Sequence, residues 1–451
     1  MQVSVFGIGK VGITLIASLL KAGFKVTGVD TDKHLVDRMN TDQITFGEPG
    51  VQALIDANRA RLTVTLDAGY AVSCSDLSFI IVPTHTNESG GFSNRYILDA
   101  VRSIGKHLAN KPGFHTLVVV STVMPGSSIN DIIPVLEQAS GKTAGIDIGF
   151  CYNPLFIAQG EILKGIVTPD YILIGEHCKK SGNLLESIQK KLLGNNAPIV
   201  RMNPTEAEIT KLASNTHETM RVSFSNMLAQ TCNEMPGTNV DNVTNALSFR
   251  LGKRFFKGAT PYGGPCWPRD NIALSSLLNS IGLKPLIPEA VHRFNQYHSQ
   301  YLIEKLQHLV NSGKRTIGLI GVAYKVGTPL IEESFALEIV NRLTGEGLEF
   351  VIFDPLASDV FQSHYRHTGK QVRTANEADE CLKQSICLLL QPLPVIGKLS
   401  FEKYQDTTVI DYWRMVPKNT SDHLPNYLAF GVNHQKEFDA PFLDTLKSLT
   451  S

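Results

Sequence analysis

The sequence predicts an α/β protein in which two parallel-sheet domains are joined by a central helical domain. Short apolar runs of strand length alternate with helical patterns from residue 1 to about residue 200, and this alternation restarts at Lys314. Between Thr205 and Leu309 the pattern is helical instead. Alternating strands and helices build a parallel sheet with helices on both faces. We therefore expect domains over residues 1–202, 203–309 and 310–451.

Length and composition agree with this division and exclude some partners. A chain of 451 residues is too long for one compact core. Its 42 Lys and Arg balance its 42 Asp and Glu, so the excess of basic residues that nucleic acid or a membrane surface would need is absent. The 7 cysteines are scattered without zinc spacing, and the N-terminus does not resemble a secretory leader. We expect no metal, no membrane partner and a cytoplasmic location.

Each predicted domain has its own succession of elements. The first domain is expected to place strands at QVSVFGI, KVTGVD, LSFIIVP, HTLVVVST and IDIGFCYNP, and helices at KVGITLIASLLKAG and ILDAVRSIGKHLAN. The central domain should open with one long helix, because TEAEITKLASNTHETMRVSFSNMLAQTCNEM contains neither Pro nor Gly. A capping pair of Thr205 and Glu208 is expected to start it. The last domain should place strands at TIGLIGVAY, EFVIFDP, ICLLLQP and TTVIDYW, and a helix at FALEIVNRLTGEG.

A glycine-rich turn, GIGKVG, follows the first predicted strand and opens the first predicted helix. Gly7 permits a tight turn, Gly9 lets the backbone approach a pyrophosphate, and Gly12 lets the helix pack on the strand. Val11 is a further expected cofactor contact, since the helix N-terminus points its N–H groups at the phosphates. Asp30 ends the second strand, where a carboxylate holds both ribose hydroxyls and disfavours a 2′-phosphate. The pattern predicts a Rossmann-like domain that binds NAD; the alternative is a glycine-rich turn without a ligand.

The segment GGPCWPRD is the most distinctive in the chain. Two glycines and two prolines constrain the backbone of a loop rather than build a core, which indicates that the Cys266 thiol is held in a particular place. Asp270 follows near the start of the next predicted helix. A helix N-terminus and a neighbouring Lys lower the pKa of a thiol and make thiolate available. The spacing alone leaves open a structural turn with an inert cysteine.

Three polar residues elsewhere are candidates for the same chemistry. Lys211 and Asn215 lie four residues apart and so share one helix face, where an ammonium and an amide can stabilise an oxyanion. A solvated polar face is the alternative. Thr122, in STVMPG, follows a strand at the edge of the sheet where open α/β sheets bind ligands, or else is a helix N-cap.

Together these segments resemble the UDP-glucose/GDP-mannose dehydrogenase family. GIGKVG, Glu48-Pro49-Gly50, STVMPG, KLASNT, GGPCWPRD and GVAYK occur in the family's order and spacing over nearly the whole chain. The resemblance implies a first Rossmann-like domain that binds NAD, a last one that binds a nucleotide-sugar, and a homodimer formed through the long central helix. It also implies a four-electron oxidation of the sugar C6 alcohol to the uronic acid, with two NAD used in sequence.

The resemblance assigns roles to individual residues. Cys266 matches the cysteine that carries a thiohemiacetal and then a thioester, and Lys211 and Asn215 match the oxyanion contacts. Asp270 matches the aspartate that helps to activate the alcohol and the hydrolytic water, which Thr122 would hold. Further cofactor contacts are implied at Thr84, Thr122 and Arg269. Substrate contacts are implied at Leu155, Gln159, Lys211, Asn215, Arg250, Phe255, Phe256, Lys257, Gly263 and Lys325.

The chain departs from the family in the segment NPLFIAQG, where the family usually carries Pro-Glu-Phe-Leu-Arg-Glu. Leu155 and Gln159 thus replace two glutamates, one of them a candidate base for thioester hydrolysis. Glu161, two residues after Gln159, would face the opposite side of a helix and is a poor substitute unless the loop bends. Glu332 stands where the family often has Arg, which reverses the local charge, whereas Arg269 keeps the charge of the usual Lys.

These departures leave the function with alternatives. Oxidation of UDP-glucose to UDP-glucuronate is expected first, because that form is the commonest in the family. GDP-mannose or a UDP-N-acetylhexosamine is the alternative substrate. A slow or inactive nucleotide-sugar-binding protein is the alternative of another class, because the two glutamates are missing. A β-hydroxyacid dehydrogenase would lack both the GGPC loop and the last α/β domain.

Overall fold

The computed structural model describes residues 1–41 and 48–435, so residues 436–451 of the predicted last domain lie outside the described residues. The chain divides into two compact units. The first contains Met1–Ser214 and Ser276–Leu283, and the second contains Asn215–Ser275 and the chain from Lys284 onward. The division into three domains over residues 1–202, 203–309 and 310–451 stays a prediction.

The first unit contains an eight-stranded sheet in the order β3-β2-β1-β4-β5-β6-β7-β8. Its strands are β1 (Gln2–Phe6), β2 (Lys25–Val29), β3 (Leu62–Thr65), β4 (Leu77–Ile80), β5 (His115–Val119), β6 (Ile148–Tyr152), β7 (Ile172–Glu176) and β8 (Ile199–Met202). All neighbours are parallel except β6 and β7, which are antiparallel. The strand order reverses beside β1, which pairs with both β2 and β4, and a reversal of this kind opens a ligand crevice at the carboxyl edge.

Helices cover this sheet. They are α1 (Lys10–Lys21), α2 (Lys33–Asn40), α3 (Val51–Asp56), α4 (Ala68–Cys74), α5 (Arg95–Leu108), α6 (Ile133–Ser140), α7 (Ile162–Val167) and α8 (Lys179–Leu192). A 3-10 turn spans Arg59–Arg61, and a π-helical turn over Ser128–Ile132 leads into α6. The sheet and the helices enclose two clusters of buried apolar side chains, as expected for a parallel sheet covered on both faces.

The second unit combines long helices with a six-stranded parallel sheet in the order β11-β10-β9-β12-β13-β14. The long helices are α9 (Pro204–Glu234), α10 (Val240–Leu251), α11 (Trp267–Ser280) and α12 (Leu286–Asn311). The strands are β9 (Thr316–Ile320), β10 (Glu349–Phe353), β11 (Gln371–Thr374), β12 (Ile386–Leu389), β13 (Thr408–Asp411) and β14 (Tyr427–Ala429). The remaining helices are α13 (Phe335–Arg342), α14 (Ser358–Tyr365), α15 (Asp379–Leu382) and α16 (Lys418–Ser421), with 3-10 turns at Pro394–Lys398 and Phe401–Lys403.

The predicted fold class is confirmed, but one helix start is wrong. The long central helix is continuous, as expected, and the division between the units falls within it. It begins at Pro204, and its capping pair is Asn203 and Glu206, because each side chain accepts a hydrogen bond from the other residue's N–H. Proline at the first helical position needs no N–H partner, which favours this earlier start. Thr205 and Glu208, the predicted pair, lie inside the helix.

The two sheets repeat one local arrangement at their first strand. The N–H of Gly7 donates to the carbonyl of Val29 at 2.8 Å, and that of Gly321 donates to Phe353 at 2.8 Å. In both sheets an aspartate that follows the neighbouring strand accepts hydrogen bonds from N–H groups of the turn. This residue is Asp30 after β2 in the first sheet and Asp354 after β10 in the second. Both units are therefore built on the same strand–turn geometry. No helix among the described residues is both long and apolar enough to cross a membrane.

Candidate active site

The glycine turn after β1 has the shape that a dinucleotide requires. Gly7 has φ +92°, and a Cβ there would lie 2.0 Å from the carbonyl oxygen of Ile81. A Cβ on Gly12 would lie 1.9 Å from the carbonyl oxygen of Gly7, so this glycine allows α1 to pack on the turn. A Cβ on Gly9 would meet nothing within 4 Å, which leaves the open space that a pyrophosphate fills at a helix N-terminus. These residues fit NAD.

Two predicted cofactor residues flank this turn. Asp30 directly follows β2, and its carboxylate accepts the N–H of Ile8 at 2.9 Å and that of Asp32 at 3.0 Å. It therefore ties the second strand to the glycine turn, and its proposed contact with the ribose stays a prediction. Val11 lies half-buried in the first turn of α1 and packs against the core.

The loops after β4 and β5 are tied together at the same edge of the sheet. The Ser121 hydroxyl donates to the carbonyl of Val82 at 2.7 Å and accepts the Val82 N–H at 2.9 Å. Thr84 is buried in the first loop, and Thr122 is half-buried in the second. No helix begins at Thr122, so the alternative in which it is an N-cap is wrong.

Glu208, which the sequence suggested as a helix cap, instead holds the loop that carries Thr122. Its carboxylate is fully buried and accepts the N–H of Gly126 at 2.6 Å and that of Ser128 at 2.8 Å. Burial raises the pKa of Glu208, although the hydrogen bonds with Ser128 and Gly126 act in the opposite direction. The only sequence signal is an acidic residue at a buried position of α9, and that signal becomes visible only once the helix face is known.

Lys211 contacts the segment in which the chain departs from the family. Its ammonium donates to the carbonyl of Leu155 at 2.9 Å and lies 4.8 Å from the centroid of the Phe156 ring. Leu155 therefore contributes a main-chain oxygen where the family usually has a carboxylate. Gln159 is half-buried, and its amide oxygen is buried without a hydrogen-bond partner in the described part of the chain.

The segment around Gln159 is a bent loop rather than a helix. Gly160 has φ +81°, and α7 begins only at Ile162. Glu161 and Gln159 therefore do not lie on one helix, so the expectation that they face opposite sides of a helix has no basis. Glu161 is exposed, with its carboxylate 3.2 Å from the ammonium of Lys164.

Cys266 is the accessible thiol of the chain. All seven cysteines lie among the described residues, none forms a disulfide, and Cys266 alone is exposed. Burial raises the pKa of Cys151 and of Cys381 to about 12, which keeps these thiols protonated and unreactive. Cys266 directly precedes α11, where the partial positive charge of the helix N-terminus favours a thiolate.

The two glycines before Cys266 allow a close backbone approach. A Cβ on Gly263 would lie 1.9 Å from the carbonyl oxygen of Glu333. Gly264 has φ +86°, its N–H donates to the carbonyl of Glu332 at 3.1 Å, and a Cβ there would lie 2.4 Å from the ring of Tyr324. Side chains at these positions would push the cysteine loop off the segment behind it. The predicted role of the glycines in positioning the loop has this physical basis.

Asn215 and Asp270 are brought together, although they lie on different helices. The Asn215 amide donates to one Asp270 oxygen at 2.5 Å, and the Asp270 side chain is only 1% exposed. Its other oxygen has no hydrogen bond within the described residues and lies 3.5 Å from Nε of Arg269. A buried carboxylate with one oxygen bound and one available can accept a proton.

A buried hydrogen-bond network holds the two ends of the cysteine loop. The Asn271 amide donates to the hydroxyl of Tyr262 at 3.1 Å and to that of Thr219 at 3.0 Å. The backbone of Tyr262 is bound in turn by the Asn295 side chain, at 3.0 Å and 2.9 Å. These contacts restrain Cys266 from both sides. Sequence reasoning did not identify them, because Asn271 and Asn295 carry no local pattern.

The predicted substrate loop leads into this region. Phe255 has φ +56°, an uncommon backbone conformation for a bulky residue, and its ring meets the edge of Trp267 at 5.2 Å. Phe256 is buried, whereas Arg250 on α10 is exposed. Lys257 is bound to Asp241 at 3.0 Å.

The last predicted substrate residue, Lys325, is half-buried and directly follows Tyr324, the residue that packs against Gly264. The substrate roles of all these residues, and the cofactor role of Arg269, stay predictions.

Comparison with known proteins agrees with this geometry. Sequence profiles of the UDP-glucose/GDP-mannose dehydrogenase family match its NAD binding domain at residues 1–193, its central domain at 205–297 and its UDP binding domain at 318–418. The GDP-mannose 6-dehydrogenase of Pseudomonas aeruginosa is 33% identical over 360 residues, which cover 78% of this chain and 81% of that protein. UDP-glucose 6-dehydrogenase TuaD of Bacillus subtilis is 28% identical over 408 residues, which cover 89% and 86%.

A solved structure has the same fold over nearly the whole length. The UDP-glucose dehydrogenase of Pyrobaculum islandicum superposes with a TM-score of 0.84 at 26% identity and covers 96% of this chain and 98% of its own. The NAD binding profile covers the glycine turn and Asp30, so NAD is the cofactor of the first unit. The chain therefore belongs to the UDP-glucose/GDP-mannose dehydrogenase family, a family of nucleotide-sugar 6-dehydrogenases.

Proposed function

We propose that the protein oxidises the C6 alcohol of a nucleotide-hexose to the carboxylate, with Cys266 as the covalent catalyst. The observation that carries this proposal is the exposed Cys266 at the start of α11, one helical turn before a buried Asp270 bound to Asn215. A nucleophile with a nearby proton acceptor and an amide donor is the arrangement that covalent catalysis on a carbonyl needs.

Each residue has one proposed task. The glycine turn and Asp30 of the first unit would hold NAD, which would supply the hydride acceptor for both oxidations. Asp270 accepts the proton of the C6 alcohol, and the Cys266 sulfur then bonds to the aldehyde carbon. Asn215 donates a hydrogen bond to the oxyanion formed in that addition, which is worth about 10²–10³ in kcat for a single donor.

Thioester hydrolysis completes the reaction. The second oxidation leaves the sugar carbonyl bonded to Cys266 as a thioester, and water releases the acid and the thiolate. Lys211 is proposed as a second oxyanion contact and Thr122 as the residue that holds the water, both on the resemblance to the family. The buried ammonium of Lys211, bonded to the carbonyl of Leu155, supports a preorganised cation.

UDP-glucose is the first proposed substrate and GDP-mannose the second. The likeness to a UDP-glucose dehydrogenase over 96% of this chain supports the first. The 33% identity to a GDP-mannose 6-dehydrogenase supports the second. A UDP-N-acetylhexosamine is a third candidate from the sequence.

The test is a panel of these nucleotide-sugars in which NADH and sugar acid are quantified. We expect that one substrate of the panel gives two molecules of NADH for each molecule of sugar acid. Cys266→Ala should form no acid, whereas Cys178→Ala, which alters a half-buried thiol, should behave as wild type. Two NADH per sugar at the wild-type rate from Cys266→Ala would rule out covalent catalysis.

The same assay separates an enzyme from a slow or inactive binder. Leu155 and Gln159 stand where the family usually has glutamates, so hydrolysis is the step at risk. An enzyme that stalls before release would keep a persistent sugar adduct on Cys266. It would form only one or two NADH per active site and show no repeated turnover. Binding by calorimetry without NADH or adduct would indicate the binder.

We further propose that two copies of the chain associate through α9. Met220, Phe224 and Met227 are 37%, 42% and 40% exposed and recur at the spacing of one helix face. An exposed apolar stripe of this kind is typical of a protein interface. Analytical ultracentrifugation should show a dimer for the wild type and a monomer for Phe224→Glu, with Ser187→Glu, an exposed polar position on α8, as the control.

A further inference from the structure

Two adjacent glutamates lie directly behind the cysteine loop. The carbonyl of Glu332 accepts the N–H of Gly264 at 3.1 Å, two residues before Cys266. The carbonyl of Glu333 lies so close to Gly263 that a Cβ there would be 1.9 Å away. Glu333 itself has φ +53°, an uncommon conformation for a residue with a side chain. The backbone of this pair is therefore held in contact with the loop that carries the nucleophile.

The negative charges of the two carboxylates affect the pKa values of different neighbours. Glu332 is exposed and makes no side-chain hydrogen bond or ion pair within the described residues. The pKa of Tyr324 is raised to about 12 by burial first, then by the negative charge of Cys266 and that of Glu332. Burial lowers the pKa of His292, and the charge of Glu333 opposes that effect. Glu332 and Cys266 thus share one neighbour, the Tyr324 phenol that packs against Gly264. The charge of Glu333 instead affects the pKa of His292.

We propose that Glu332 is the general base that activates water for hydrolysis of the Cys266 thioester. It lies on the segment bonded to the cysteine loop, its carboxylate is exposed, and no partner among the described residues occupies it. The inference rests on the proposed covalent function and adds the residue that replaces the missing glutamates.

Hydrolysis of the Cys266 thioester needs only water and the Glu332 carboxylate. Water attacks the thioester carbonyl and gives its proton to the Glu332 carboxylate as the new C–O bond forms. The tetrahedral intermediate then collapses, the C–S bond breaks, and the sulfur leaves as the Cys266 thiolate. The products are the sugar acid and the regenerated nucleophile, and Glu332 returns its proton to solvent.

The other candidate residues are less suited to this task. Leu155, which stands where the family usually has a glutamate, has no group that accepts a proton. Asp270 has one oxygen bound to Asn215 at 2.5 Å and is proposed to take the proton of the alcohol. The charge of Glu333 acts on the pKa of His292, against the larger effect of burial. Glu332 is thus the carboxylate of its pair that shares the neighbour Tyr324 with Cys266 and has no hydrogen bond or ion pair within the described residues.

Two substrates of different origin test the base. The first is whichever of UDP-glucose and GDP-mannose releases NADH, with the Cys266 adduct followed by intact mass. The second is p-nitrophenyl acetate, which acetylates a reactive thiol and leaves a thioester whose hydrolysis needs no NAD. Glu332→Gln is compared with Glu332→Asp and with Glu333→Gln, the matched control one residue away. Fluorescence melting checks that each variant is folded.

We expect Glu332→Gln to slow hydrolysis of both thioesters by about 10²–10⁴-fold, the usual effect of one general base. Glu332→Asp should recover part of the rate, and Glu333→Gln should stay within threefold of wild type. Hydroxylamine, which attacks without a base, should cleave the adducts of all variants equally.

The proposal is overturned if Glu332→Gln hydrolyses the acetyl thioester within threefold of wild type, or if Glu333→Gln slows it equally. The proposed function fails separately, when wild type releases no NADH with any nucleotide-sugar. In that case the acetyl thioester still decides the role of Glu332.

Discussion

The hydrogen bonds of Asn271 make the restraint on the cysteine loop measurable. Asn271→Ala removes two buried N–H donations, one to the hydroxyl of Thr219 at 3.0 Å and one to that of Tyr262 at 3.1 Å. Thr219 keeps its bonds to the carbonyls of Asn215 and Thr216, and Tyr262 keeps its bond to the carbonyl of Val291 at 3.5 Å, so each hydroxyl loses only the N–H that it accepts. At about 0.5–1.5 kcal/mol for each bond, we expect a loss of roughly 1–3 kcal/mol in the free energy of unfolding.

The chain offers a selective probe for this measurement. It contains 2 tryptophans, Trp267 and Trp413, and both belong to the second unit. Trp267 also meets the edge of the Tyr262 ring at 6.0 Å, so its fluorescence reports the loop directly. Urea unfolding followed by tryptophan fluorescence therefore measures this unit without a signal from the first. Ser275→Ala, which removes one bond to the carbonyl of Asn271 at 3.0 Å, is the control and should change the unfolding free energy by less than about 1 kcal/mol.

A double-mutant cycle with Tyr262→Phe isolates the bond between the two side chains. We expect a coupling energy of about 1 kcal/mol between Asn271→Ala and Tyr262→Phe, because each variant alone already breaks the bond. Additive effects of the two variants, or an Asn271→Ala protein that unfolds at the same urea concentration as wild type, would refute this account of how the loop is held.

Three further predictions concern the cofactor turn and acid stability. Gly9→Ala should leave the fold intact, because its Cβ enters only the open space proposed for the pyrophosphate, and should weaken NAD binding at least ~10-fold in calorimetry. Gly12→Ala should instead lower the melting temperature, since its Cβ meets a carbonyl oxygen at 1.9 Å. Unchanged NAD affinity in Gly9→Ala would contradict the first expectation. Burial lowers the pKa of His115 from 6.5 to about 3, so the unfolded chain takes up a proton first and stability falls from pH 6.5 toward pH 3. His115→Gln should flatten that fall in amide hydrogen exchange of β4 and β5, and an unchanged slope would count against it. Burial raises the pKa of Asp241, but its bonds to Arg414 and Lys257 outweigh this and hold the pKa below 3.8, so its contribution is full above that value and is lost on further acidification. Asp241→Asn should be less stable than wild type at pH 6 and approach it below about pH 4 in urea unfolding; a gap that stays constant would show that this ion pair does not set the acid limit.

Local patterns in the sequence were sufficient for the elements and for the cofactor turn. The GIGKVG turn, the aspartate after β2 and the unbroken run of α9 each depend on neighbours in the chain, because glycine conformation, strand length and helix periodicity are local properties. The capping pair of α9 was misassigned by two residues because Thr205–Glu208 and Asn203–Glu206 have the same spacing. The side-chain bonds that distinguish them depend on where the chain enters the helix.

Contacts between distant residues depend on the tertiary structure. Glu208 was expected to cap its own helix, yet it binds the N–H groups of Gly126 and Ser128, about 80 positions earlier. The anchors of the cysteine loop, Asn271 and Asn295, are ordinary amides in the sequence and gain their role only by burial against Tyr262.

By itself, the sequence determined the α/β fold class, the NAD turn and the identity of Cys266 as the candidate nucleophile, since glycines, prolines and their spacing act over a few residues. Only the tertiary structure decided that Cys266 is exposed, that Asp270 is paired with Asn215, and that Glu332 lies against the loop. Burial and pairing arise when segments far apart in the chain pack together, and no local pattern encodes which side chain will meet which.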